Sequence, residues 1–543
     1  MSKKTVKHKA TAKPSAQEWK EKKSKQKPKK EFRLSPKVVK LTLFALLAIF
    51  CTIVYGDVFA RAEQEAFVNF DRTTMKFLLD KPLGELFWLG RVMLLVFKSK
   101  WVGGIILAAL LTGTACQLDN IFRISRTKWC GVSFLLPAAE LAYLVSLGTN
   151  IYYKEEPSRI MLYPVAIFLV LLVCRIVVQL VRRRRQQPEA SSADAKTLRG
   201  IPYGFVVALA ALGMLFGYTY AANQNTILTA RMQNRLWEQD WEGMVEDGLS
   251  ARRPTRAVAA YYAMALLQRG ELVERLFEIP YDYPINGELN YHDGSEEYGL
   301  LQADADFEAG LVQVAYHYCM EFIVMNGPNL PKLKRMAICS IMMGEKEAAR
   351  KYLRLIDSMP FEGAFVEKYS PMVDNPELVD ADLELANVKK LWPRENKFEQ
   401  QYRQPAFLGY NLGLEEGSNE TLMTSIAACL YSKDLISLMP RVGALQQKRM
   451  NMPVTVQQAI ICLSLKDKGA HKEVLSVLPN PQLAQRQVEA FLMDAKPYIK
   501  DKEALRDNLK DKWLGTYMYY YYCMNNDSIA TGKKSAADWK GVN

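Results

Sequence analysis

Two ionisable residues lie within long uncharged runs, Glu140 beside Pro137, and Arg175. Charge inside a bilayer is costly, so each is a site candidate by default. Arg175 is close to the run Arg182–Arg185 and can extend its head group towards it. Glu140 has no such outlet. It is either neutral or paired, and Arg91 and Arg175 are the candidate partners. The chemistry such a carboxyl would serve is that of a membrane enzyme or carrier for a lipid-linked or glycan substrate.

A second candidate is an acidic stretch. Between Leu276 and Pro331 there are ten acids and no Lys or Arg. Asp293, Glu296 and Glu297 fall in a DGSEE string able to donate oxygens to calcium, but the full twelve-residue calcium loop is absent. Asp304-Ala305-Asp306, followed by Glu308, resembles a short acidic pair that holds a metal-bound sugar nucleotide. The same acids read alternatively as a patch that attracts a basic partner, or as a solvated face. His317 and Glu321 are four apart and share a helix face, whereas Cys319 points elsewhere, so no base lies within reach of that thiol. The chain has no Gly-rich phosphate loop, serine nucleophile elbow or HExxH. Nine cysteines without a CxxC pair and only four histidines leave little material for zinc or a disulfide framework. No cofactor is expected.

These residues must be positioned by two different halves. The mean hydropathy of −0.11 hides long uncharged runs before residue 222 and mixed-charge sequence after it. The net charge of +13 is similarly uneven. Residues 1–37 carry 14 Lys/Arg against three acids, while residues 222–543 sum to about −6. Nucleic-acid binding is therefore not expected. The basic stretch, broken by Pro14, Pro28 and Pro36, is expected to be a disordered cytoplasmic tail.

Runs of spanning length follow at Val38–Gly56, Trp101–Leu118, Cys130–Asn150, Ile160–Val181 and Ile201–Ala221. Ala60-Arg61-Ala62 mimics a signal-peptidase site, but the long polar lead argues for an uncleaved anchor. Leu83–Phe97 is too short and contains Arg91; it either makes a sixth span or lies in the interface. With five spans the basic tail, the Arg123/Arg126/Lys128 loop and Arg182–Arg185 share one side, as cytoplasmic basic residues do. Five is adopted, although it leaves basic residues around Leu83–Phe97 on the other side. Residues 38–221 are thus expected to form a transmembrane helical domain.

Residues 222–525 are expected to be a tetratricopeptide-like α-solenoid, with 526–543 a flexible tail. Gly310 and Gly344, Ala315 and Ala349, and Tyr318 and Tyr352 are each 34 residues apart. The best unit, residues 336–360, puts Ala337 and Ala349 where two helices cross and Gly344-Glu345 at the turn. Weaker units turn at Gln239-Asp240, Arg269-Gly270, Ser432-Lys433 and Lys468-Gly469. Pro280–Glu308 and Pro360–Gly413 read as loops or irregular helical insertions. Lys500–Met524 reads as one helix whose Tyr519–Tyr522 run caps the array.

The segments EAGLVQVAYHYCMEF and KRMAICSIMMGEKEAARKYLRLI, and the terminal LGTYMYYYYCM, resemble a domain-of-unknown-function family of bacterial envelope membrane proteins. The resemblance implies a bacterial inner-membrane location and supplies no activity. The expected whole is all-α: an N-terminal bundle of about five spans, then a solenoid on the periplasmic side. The expected function is a membrane-anchored scaffold that binds other envelope proteins through the solenoid, with the lipid bilayer its other partner. The alternative is the membrane enzyme or carrier built on Glu140.

Overall fold

Each of the five apolar runs forms a helix long enough to cross a bilayer. In this computed structural model they are α1 (Pro36–Val54), α5 (Lys100–Phe122), α6 (Val132–Thr149, opening with a 3-10 turn), α7 (Arg159–Arg184) and α8 (Tyr203–Glu238). Pro36 starts α1, where its fixed φ suits the first helical turn and its missing N–H is not needed. The structure describes residues 33–149, 156–184, 198–199, 201–281, 295–392 and, with gaps, 402–524. The basic tail through residue 32, the tail from 525 and the Lys468-Gly469 turn lie outside the described residues. Besides helices, the described residues form two antiparallel pairings of two residues each. One joins Arg33–Leu34 to Leu198–Arg199, holding the start of α1 beside the segment that leads into α8.

Between the first two spans lie three short helices, α2 (Gly56–Glu65), α3 (Lys76–Leu79) and α4 (Gly84–Leu94). At 11 residues, α4 is about 16 Å long, half of what a roughly 30 Å hydrocarbon core requires. The 56–98 segment leaves the bundle instead. Phe67, Met75 and Leu78 share a core with Phe307, Ala315, Ala337, Ala349 and Leu353 of the C-terminal half. Four of the five helices lie between these two segments, so both emerge at one end of the bundle. A spanning α4 would put them at opposite ends. This packing therefore agrees with the five candidate spans among the described residues.

α8 is 36 residues long and bends at Asn223 (φ −116°, ψ 18°), beyond which it serves as the first helix of the C-terminal helical region. That region continues through α9 (Trp241–Ser250), α10 (Arg256–Arg269), α11 (Leu272–Arg275), α12 (Ser295–Glu308), α13 (Val312–Asn326), α14 (Leu330–Met342) and α15 (Lys346–Asp357). Three short helices follow, α16 (Gly363–Tyr369), α17 (Pro376–Ala381) and α18 (Leu383–Leu391). The last group is α19 (Asn419–Tyr431), α20 (Leu435–Gln447), α21 (Val454–Ser464), α22 (Pro481–Ala495), α23 (Lys502–Trp513) and α24 (Tyr517–Cys523). A left-handed residue stands at four of the expected turns, Gln239, Gly270, Gly344 and Lys433, and also at Gly310. Such a residue reverses the chain while satisfying the last carbonyls of the preceding helix.

Two expectations on local structure are corrected. Residues 295–308 form a regular helix, because Ala303, Ala305 and Phe307 are buried by neighbours that sequence alone does not supply. The terminal helix is two helices, broken at Leu514–Thr516 where Gly515 adopts φ +96°. The break lets the tyrosines turn inwards: Tyr517, Tyr519 and Tyr520 are buried, and their hydroxyls donate to the carbonyls of Leu430, Arg506 and Tyr431.

Candidate functional site

The three intramembrane candidates are not brought together. Arg91 makes a bidentate pair with Glu156, Nε to Oε1 at 2.7 Å and Nη2 to Oε2 at 3.0 Å, and also donates to the Phe67 carbonyl. Arg175 donates to Gln117 Oε1 at 3.1 Å. Glu140 is 6% exposed and neither of its carboxyl oxygens has a hydrogen-bond partner. The expected pairing of Glu140 with Arg91 or Arg175 is thus corrected. Arg91 sits at the start of α7, where the residues before that helix offer Glu156; Arg175 lies towards its basic end. Sequence reasoning missed a fourth group, Asp119, which is buried and pairs with Lys40 at 2.6 Å. The expected second span stopped at Leu118, one residue short, whereas α5 runs on to Phe122.

Asp304, Asp306 and Glu308 are all but fully buried. As an exposed patch for a basic partner, or as ligands of a metal-bound nucleotide, they are corrected. Arg335, from α14, lies beneath them: its Nη2 is 2.9 Å from Asp304 Oδ1 and 3.7 Å from Glu308, and its Nη1 is 3.8 Å from Glu384. Gln268 donates to Glu308 and Gln239 to Glu384. The guanidinium also stacks on Phe307, 4.0 Å from the ring centroid. One cation faces three carboxyls, so not all can be ionised. Burial, with the Glu384 charge, pushes Glu308 well above the carboxylate range, and Arg335 only partly offsets this. Burial likewise raises Glu384. Asp306, held by Gln302 on its own helix, is pushed up to about 7 by burial. Asp293 and the side chains of Glu296 and Glu297 lie outside the described residues. Among those described, no cluster of three or more His, Cys, Asp or Glu can hold a metal ion.

His317 and Glu321 do pair, Nε2 to Oε1 at 3.0 Å on an exposed face, while Cys319 is buried and its thiol pushed up to about 12 by desolvation. Ala315, Ala337 and Ala349 are fully buried in one core, and Gly310 and Gly344 turn the chain at φ +83° and +75°.

A more extensive set of ion pairs lies at the junction between the bundle and the C-terminal helices. α2 carries Asp57, Arg61 and Glu63, all buried. Lys100 reaches Asp57 at 3.0 Å, and Arg231 of α8 lies 3.6 Å from Asp57 and 3.1 Å from Asp247 of α9. Asn234 donates to Asp57 and accepts from Gln64. On the other flank Glu362 takes both Lys98 and Lys334, the latter at 2.6 Å, and Asn329 donates to Glu65. Burial pushes Glu63 up to about 7, against the pull of Lys98, and lowers Lys334. This layer joins α2 and the start of α5 to α8, α9, α14 and α16. A signal was present in the sequence: Asp57, Arg61 and Glu65 recur every four residues directly after a span, which places them along one helix face.

A family described as "Family of unknown function (DUF6057)" matches residues 30–185 and 139–524. No curated protein and no solved structure matches the chain.

Proposed function

The chain belongs to that family of unknown function, which lends it no activity, and on its own geometry we propose that it is a membrane-anchored helical-repeat scaffold for other proteins of the cell envelope. The observation that carries this reading is the buried ionic layer at the junction. Buried charges are retained only where paired, and here they tie six elements from both halves, which holds the repeat surface at a set height over the bundle. Stacked hairpins such as α12–α13 and α14–α15 suit a tetratricopeptide-like solenoid, an architecture that presents extended surfaces to partners. The basic loops, at the end of the bundle opposite the repeats, favour a cytoplasmic N-terminus and a periplasmic repeat region in a bacterial inner membrane.

The test is photo-crosslinking in cells from exposed apolar positions of the repeat region, Leu383 and Met493 among them. The expected result is adducts to defined envelope proteins that depend on position. No adduct from any position would refute a scaffold.

A second reading, a membrane enzyme or carrier acting on a lipid-linked or glycan substrate, is favoured by one observation, the partnerless carboxyl of Glu140. Glu140→Gln keeps the shape and removes the acid. Lost function at normal protein level favours this reading; unchanged function favours the scaffold.

A further inference from the structure

Exposed apolar side chains on both halves gather where the repeats meet the bundle. α4 lies across the outer end of α7: Arg91 is bound to Glu156, and a Cβ on Gly90 would stand 2.8 Å from Ser158. Its other face leaves Leu86 and Leu89 exposed, with Leu83 before them. Further along α7 the exposed residues are Leu169, Val170 and Val173, which are the lipid-facing surface of a spanning helix.

On the repeat side, the exposed face of α13 changes character along its length. Gln313, His317 and Glu321 come first, then Val324 and Met325, which are 78% and 79% exposed. The apolar end is the one near the membrane. Phe322 packs against the bundle core, and Gly327 lies against Phe77, which precedes α4.

We propose that α4 and the apolar tip of α13 form an interfacial seat that beds the repeat region into the headgroup layer, the occupant being the bilayer itself. Continuity with the lipid-facing belt through α7 selects this occupant over a protein. Burying apolar residues roughly 5–10 Å into the interface is the usual mode for helices lying in the membrane plane. The seat also accounts for the basic residues on the outer side. Lys76 and Lys81 are exposed around α3, where they can reach lipid phosphates with their stems on apolar surface, while Arg72 pairs with Glu85 at 3.3 Å. The inference stands whether or not the repeats bind protein.

The test uses the full chain with Cys174→Ser, since Cys174 is the exposed native cysteine among those described. Leu86→Cys, Val324→Cys and, as control, His317→Cys each receive an environment-sensitive fluorophore. The protein is reconstituted into phosphatidylethanolamine–phosphatidylglycerol vesicles. All three positions are exposed, so the fold tolerates the label. The expected result is quenching by shallow doxyl-labelled lipid at 86 and 324, with aqueous iodide quenching there several-fold weaker than at 317. Equal iodide quenching at all three positions overturns the seat. Protection of 86 and 324 from both quenchers also overturns it, since a protein, such as a second copy, then covers the patch. Lipid quenching at 86 alone overturns the part assigned to α13.

Discussion

Arg335 shows how one residue governs a neighbourhood. Its guanidinium is the shared counter-charge of Asp304, Glu308 and Glu384, three acids on two helices. Removing it leaves uncompensated buried carboxyls, at a cost of about 3–5 kcal/mol. Arg335→Met is therefore expected to lower stability strongly at pH 8 and much less at pH 5, where protonated carboxyls need no cation; denaturant titration at both pH values checks this. Asp306 gives a second pH signature. Its folded pKa is raised to about 7, so between roughly pH 4 and 7 the folded state binds the extra proton. Stability present below pH 4 is lost as pH rises through 7. Lys332 of α14 and the Tyr318 ring of α13 face the same region and do not reverse the sign. Asp306→Asn should flatten that slope. Glu63, also raised to about 7, adds a slope of the same sign that remains in Asp306→Asn.

At the scale of the element, the two turn glycines separate backbone strain from crowding. Gly310 and Gly344 both have positive φ, but a Cβ at Gly310 would stand 2.5 Å from the Leu391 carbonyl carbon, while at Gly344 it meets nothing. Gly344→Ala should cost about 1 kcal/mol from strain alone. Gly310→Ala should cost clearly more, because backbone on α18 has to move. Equal losses in thermal melts would show that Leu391 yields freely. At the helix crossing, Ala349→Leu inserts methylenes into a filled core and should cost about 1–3 kcal/mol. No loss of stability there would mean that the α14–α15 contact is looser than its burial indicates.

For the whole molecule, the decisive contact is that of the 56–98 segment with the repeats. It predicts that cysteines at Lys81 and His317 react with an impermeant reagent from one side of the membrane, and one at Lys128 from the other. Reaction of 81 and 317 from opposite sides would sink the five-helix arrangement. The same contact means that residues 222–543 are not a complete folding unit. Expressed alone, they would expose the surface that Phe67, Met75 and Leu78 cover, and should be less soluble than when co-expressed with residues 1–221.

The sequence by itself determined the elements whose cause is local. Uninterrupted apolar length produced all five candidate spans, four of them within a few residues at both ends and the fifth at its start, while α8 runs on to Glu238; the 34-residue spacing of Gly310 and Gly344 marked two real turns. Glycine permits a left-handed turn wherever it stands, and twenty apolar residues favour a spanning helix whatever surrounds them. What only the tertiary structure decided depends on residues distant in sequence. The acids at 304–308 read as a surface because their cation, Arg335, comes some thirty residues later, on a helix that must first fold against theirs. Glu140 read as either neutral or paired, because composition cannot show that Arg91 and Arg175 are claimed by Glu156 and Gln117. A charge's role is set by what stands within a few ångströms of it, and for a chain folded back on itself that distance is not written along the sequence.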